Sequence, residues 1–186
     1  MDKIEYNKLI NDIQKHLADL CKDDRVKYHI NPVVEIAKQM AKDLDADIQI
    51  VEIAAYMHDI TKITGERKDH HITGAIYTQN FLKDYNIEED KVNRIMDCIK
   101  SHRGNSEFPR DTVEQKIIAT ADAVAHIEHP LTLFYAWYGR RSCSIDDGAD
   151  GILKKLRKSW DKIEFDYIKE QEKEKYDALI KMLEDR

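Results

Sequence analysis

The stretch Ala54–Gly65, AAYMHDITKITG, closes an apolar run with a histidine and an aspartate side by side. Upstream, Ile50, Val51, Ile53, Ala54, Tyr56 and Met57 are apolar on nearly every side of a 3.6-residue period, which places this helix at the centre of a fold. Asp47 stands where its side chain can cap the helix, and Gly65 stands where it ends. An ionised carboxylate in such surroundings is costly unless a positive partner replaces its water. Asp59 therefore calls for a cation.

Outward from this helix the pattern stays helical. Val33, Ile36, Ala37, Met40, Ala41 and Leu44 form one stripe, with His29 one turn before Val33. Asn31-Pro32 is also a good helix start, as N-cap and first helical residue, and a proline in the first turn keeps His29 and the stripe compatible. A helix is expected from about His70 to Tyr85. Another is expected from Asn86, where Glu89 completes an Asn variant of the capping box, with Val92, Ile95, Met96 and Ile99 inward and His102 continuing that face. Asp111 with Glu114 reads as the start of a further helix through Ile117, Ile118, Ala121 and Ala125, on which Asp122 faces in. After the aromatic segment LTLFYAWYG, a last long helix from about Gly151 is expected to pack Leu153, Leu156, Trp160, Ile163 and Tyr167.

Composition agrees. Only six Gly and three Pro in 186 residues leave few breaks for a strand-and-turn fold. Apolar residues at 42% and charged ones at 35% suit one soluble globular domain over residues 1–186, with a motif-bearing core at about 25–125 and a C-terminal helical extension at about 130–186. A formal charge of -6 argues against long nucleic acid as a partner, which rewards a basic face. Three scattered cysteines without a CxxC pair suggest neither a disulfide framework nor a thiolate zinc site, and fit the cytoplasm. No apolar run approaches a membrane span, so no membrane partner is expected.

Five helices thus each bring a His or Asp inward: His29, His58 with Asp59, His70 or His71, His102, and Asp122. One inward histidine is ordinarily a hydrogen-bonded core residue. The set together offers the imidazole and carboxylate donors that suit divalent metal ions, which would supply the charge that Asp59 needs.

The ordered set YHINPVV, YMHDITK, DHHITGA, IKSHRG and ATADAV, from about Arg25 to Ala125, resembles the HD-domain superfamily of metal-dependent phosphohydrolases. The resemblance implies an all-α HD-domain bundle of about five core helices with extra C-terminal helices. It implies one divalent transition-metal ion held by His29, His58, Asp59 and Asp122. In two-metal members Asp59 bridges to a second ion held by His70 and His102. The ions would be Fe, Mn, Zn, Ni or Co, with Mg as an alternative. The family's His-x-x-x-Gly-Ala spacing selects His70, and His71 stays open as the other choice. Lys62 completes the family's HDxxK form and is expected to meet a substrate phosphate, so Asp59 and Lys62 are the catalytic candidates.

Arg103, and with less support Arg67, are expected to contact phosphate through a planar guanidinium. Arg140, Arg141 and the KKLRK segment from Lys154 read as a basic helix surface, and His126 as a structural histidine on the face of Asp122. His16 and His129 have no assigned role. The expected activity is hydrolysis of a small nucleotide or related phosphate ester, with dinucleoside tetraphosphates and then deoxynucleotides as the first substrates to try and a homo-dimer as a possible assembly. Two other classes compete. One is the mixed-valent di-iron oxygenase branch of the same superfamily, and the other a metal- and nucleotide-binding module without turnover.

Overall fold

The computed structural model describes residues 2–22, 24–104 and 107–186, and among these the fold is all-α. Helix α1 (Lys3–Leu20) has no counterpart in the sequence reading. Yet Asp2 caps it by accepting from the amides of Ile4 and Glu5, Glu5 completes the capping box, and Leu9, Ile13 and Leu17 form its buried stripe.

Helix α2 (Asn31–Asp43) is entered through a π-helical turn, Val26–Ile30, so Asn31 is already helical and is not a cap. The cause is Pro32. Its ring crowds the carbonyl one turn back and it has no N–H to offer, and the preceding turn widens until Asn31 N–H bonds the Val26 carbonyl five residues earlier. The proline and the inward His29 coexist for this reason.

Asp47 caps α3 (Ile48–Met57) by accepting from Gln49 N at 3.0 Å and Ile50 N at 3.3 Å, and every residue from Ile50 to Met57 is buried. The helix breaks at His58–Asp59, resumes as the short α4 (Ile60–Ile63), and stops at Gly65, whose φ of 116° favours glycine. Helix α5 spans His70–Leu82, three residues short of the expected end. Helix α6 (Glu89–Ser101) starts after Glu88, not at Asn86, and carries no side-chain cap; Glu89 and Asp90 in its first turn face the positive end of the helix instead. Helix α7 (Val113–Glu128) is capped by Thr112 with Gln115, one residue later than Asp111 and Glu114. The buried Glu114 is spent on a bond from the half-exposed Arg94 at 2.8 Å, which a local box does not foresee.

The C-terminal region corrects the single long helix. After α8 (Leu131–Phe134) and a π-helical turn over Tyr135–Arg140, α9 (Ile145–Asp161) starts at Ser144, and α10 (Asp166–Glu184) follows a break. The rings of Tyr138 and Trp137 lie directly against Gly148 and Gly151, where any Cβ would collide with them, so these glycines serve contact within α9. Ile163 is buried in the connection between the two helices, whereas Tyr167 is 41% exposed and does not pack inward.

Helices α2, α3, α5, α6 and α7 pack on one another as the core, α1 lies on α3, and α9 and α10 lie on α7. The α1–α3 seam holds a buried carboxylate: Tyr6 Oη donates to Glu52 Oε2 and Lys38 Nζ to Glu52 Oε1, each at 2.6 Å. Among the described residues no helix is long and apolar enough to cross a membrane. Because the phenol bonds a charged acceptor that water scarcely reaches, Tyr6→Phe is expected to cost about 2 kcal/mol, read as a lowered urea midpoint at unchanged m-value.

Candidate metal centre

Most of the candidate side chains sit at interruptions and ends of helices. His29 comes from the π-helical turn, His58 and Asp59 from the α3–α4 break, His70 from the first residue of α5 and His102 from the end of α6. Asp122 projects from the middle of α7. The structure brings these six together, all buried.

Asp59 occupies the middle. Its Oδ2 lies 3.6 Å from His29 Nε2 and 3.7 Å from His58 Nε2, while its Oδ1 lies 3.4 Å from His70 Nε2 and 3.7 Å from His102 Nε2. Asp122 Oδ1 joins the first group, at 3.3 Å from His29 Nε2 and 3.8 Å from His58 Nε2. His70 stands in the cluster. His71 lies outside it, edge-on to Phe108.

The tautomers follow from the backbone. His58 Nδ1 bonds the Ala55 carbonyl at 2.7 Å, His70 Nδ1 that of Arg67 at 3.0 Å, and His102 Nδ1 that of Ile99 at 2.5 Å. A carbonyl only accepts, so each Nδ1 carries a proton, and Nε2 is the nitrogen turned inward. Burial pushes His58 down to about 3 and His70 down to about 4, against the pull of Asp59, which keeps these rings neutral. His70 Nε2 and His102 Nε2 face each other across 3.3 Å.

Two lysines meet the carboxylates. Lys62 Nζ is 2.5 Å from Asp59 Oδ2, and Lys162 Nζ is 2.5 Å from Asp122 Oδ2. Burial favours the neutral acids, but Lys62 at Asp59 and Lys162 at Asp122 outweigh it and hold both well below the usual carboxylate range. Burial likewise opposes the Lys62 charge, and Asp59 with Asp122 overcomes it, leaving Lys62 above its ordinary value.

Arg103 is not among the donors: its guanidinium bonds the Lys68 carbonyl. Arg67 is exposed, and only its carbonyl takes part, through His70. Lys162 was missed in the sequence, and Lys155 was assigned to a solvated surface. The signal was their place on the stripe Ile152–Lys155–Ser159–Lys162, whose apolar and small members are buried. His126, also buried, lies 3.5 Å from Asp122 Oδ1 through Nε2.

A helical bundle built around a His-Asp doublet, with further His and Asp converging from separate helices, defines an all-α protein with a buried donor cluster that could hold a divalent metal. Residues 26–127 match the HD domain, and the chain belongs to the HD domain family. Among curated relatives, it is 27% identical over 125 residues to a tRNA (cytidine(56)-2'-O)-methyltransferase of Picrophilus torridus, covering 60% of this chain and 34% of that protein. It is 31% identical over 98 residues to Ribonuclease Y of Fusobacterium nucleatum, covering 52% of this chain and 18% of that protein. The chain therefore spans about a third or less of the length of these relatives. In fold it is similar to an HD-superfamily hydrolase from Bacillus thuringiensis, with a TM-score of 0.71, 17% identity, and coverage of 98% of this chain and 95% of that one. Lys155 and Lys162 lie beyond the matched region.

Burial pushes Lys155 down to about 7 from its ordinary 10.5. Between those values the unfolded chain binds the extra proton, so this residue makes stability rise with pH, and its full cost is present below about pH 7. In chelator-treated protein, Lys155→Met is expected to be the more stable form at pH 7, with the gap narrowing by pH 9.5. Urea denaturation at both pH values checks this, and a constant gap contradicts it.

Proposed function

We propose that this chain is a metal-dependent phosphohydrolase acting on a small nucleotide or related phosphate ester. One observation carries the reading: His70 Nε2 and His102 Nε2 converge to 3.3 Å beside an Asp59 oxygen that has no hydrogen-bond partner. A carboxylate oxygen left unpartnered where water scarcely reaches is costly, and a cation between it and the two imidazoles would relieve that cost. His29 Nε2 and His58 Nε2 are likewise buried without hydrogen bonds. Imidazole with carboxylate is a donor set that fits zinc, iron, manganese, cobalt or nickel.

His29, His58, Asp59 and Asp122 would hold one ion, and Asp59, His70 and His102 a second. When bound, such ions supply Lewis acidity toward a phosphoryl oxygen and a lowered pKa for water. The residues of the chain do the rest. Lys62 and Lys162 already balance the charges of Asp59 and Asp122, so the charge of any ion is left to attract an anion such as phosphate. Lys62, 36% exposed in its side chain, is the ammonium placed to reach a substrate phosphate oxygen, which makes it the catalytic partner of Asp59. The hydrolase names of the Ribonuclease Y relative and of the HD-superfamily neighbour support the reaction class. The net charge of -6 supports a small substrate over a long nucleic acid.

Asp59 faces both groups of donors, so Asp59→Ala is expected to abolish binding of divalent metal by protein that wild type binds stoichiometrically. Metal analysis after reconstitution with Mn²⁺ checks it, and full occupancy in the variant sinks the assignment. Lys62→Ala should keep metal content and fold. Its turnover on the best of a panel of nucleotide phosphates should fall about a hundredfold, the effect of removing roughly 3 kcal/mol of preorganised charge stabilisation. A wild-type rate in a folded, metallated variant removes Lys62 from the reaction.

A further inference from the structure

His126 lies one turn after Asp122 on α7 and is 4% exposed. Neither ring nitrogen has a hydrogen-bond partner. A buried imidazole normally bonds at least one nitrogen, and His58, His70 and His102 each anchor Nδ1 on a carbonyl. His126 makes no such bond, and the polar group nearest its Nε2 is Asp122 Oδ1, at 3.5 Å.

Its position is specific. Asp122 Oδ1 forms a shared vertex, with His29 Nε2 at 3.3 Å, His126 Nε2 at 3.5 Å and His58 Nε2 at 3.8 Å. The His126 ring is parallel to that of His29, with centroids 4.7 Å apart and planes within 2°. The two rings therefore advance on Asp122 side by side. One ligand atom each from His29, Asp122 and His126 falls within 4.8 Å of the others, just as one each from His29, His58 and Asp59 does. Stacking alone would be met by a phenylalanine of similar size at no polar cost. The nitrogen is what needs explaining.

We infer that His126 is a further nitrogen donor, through Nε2, to the ion of His29, His58, Asp59 and Asp122, giving that position five protein donors. The inference rests on the metal-centre reading above and goes beyond it. A third imidazole in place of water shifts the site's preference toward the later first-row divalent ions, such as Co²⁺ and Zn²⁺, and away from Mg²⁺, which favours oxygen.

The test uses the full chain, stripped with chelator and titrated with Co²⁺ or Zn²⁺. His126→Phe keeps the ring against His29 and removes the donor. It is expected to weaken binding of the first Co²⁺ at least about tenfold and to change the visible d–d spectrum of the bound ion, while the Mg²⁺ affinity changes less. A merely stacking residue would leave the spectrum and the affinity unchanged. A second measurement needs no variant. In ¹⁵N-histidine-labelled wild type at two equivalents of Zn²⁺, histidine ring NMR should show five imidazoles zinc-bound through Nε2. Four, with His126 unmoved, overturn this inference alone. Wild-type protein that binds neither ion overturns the metal-centre reading as well.

Discussion

Asp59 carries two carboxylate oxygens into a space that water hardly reaches, and each oxygen faces a different pair of imidazoles. Holding it there constrains much of the surrounding fold. The helix that delivers it is apolar on nearly every side, so it must be central, and it must break at the doublet so that the side chain leaves the helix axis. The other donors then arrive from elements packed around that break. Lys62, 2.5 Å from Oδ2, supplies the charge without which the buried carboxylate would be among the most expensive defects a core can hold.

Helix ends solve the geometry. The final carbonyls of a helix have no intrahelical partner, and at His58 and His102 the ring itself supplies one, bonding the carbonyl three residues back. The same bond settles which nitrogen keeps its proton and aims the other inward. His29 reaches the cluster by another irregularity, a widened turn forced by Pro32. Departures from regular helix are therefore concentrated where donors are needed.

Charge is arranged on two levels. Lys62, three residues from Asp59, is a local partner set by the doublet's own helix turn. Lys162 reaches Asp122 from forty residues away, on the far side of the HD match, and so ties the C-terminal helices to the centre. Lys155 approaches the same region and sheds part of its charge through burial. The C-terminal extension thus contributes to the centre and is more than an outer layer on α7.

The sequence by itself determined the all-α class, the central helix and the inward placement of His29, His58, Asp59, His102, Asp122 and one of the pair His70 and His71. These follow from apolar periodicity and from the costs of burying charge, both of which act within a turn or two of chain. Boundaries were less legible where long-range partners intervened: Glu114 is drawn into a bond with Arg94, which moves the start of α7 to Thr112. Helix α1 was legible in its stripe and its cap but has no motif to attract notice. Only the tertiary structure decided which of His70 and His71 faces the donors, turned Arg103 toward a backbone carbonyl, and brought Lys162 and His126 against Asp122. Each of those outcomes depends on how one helix packs on another, and a side chain's helical spacing states which face it occupies without stating what that face will meet.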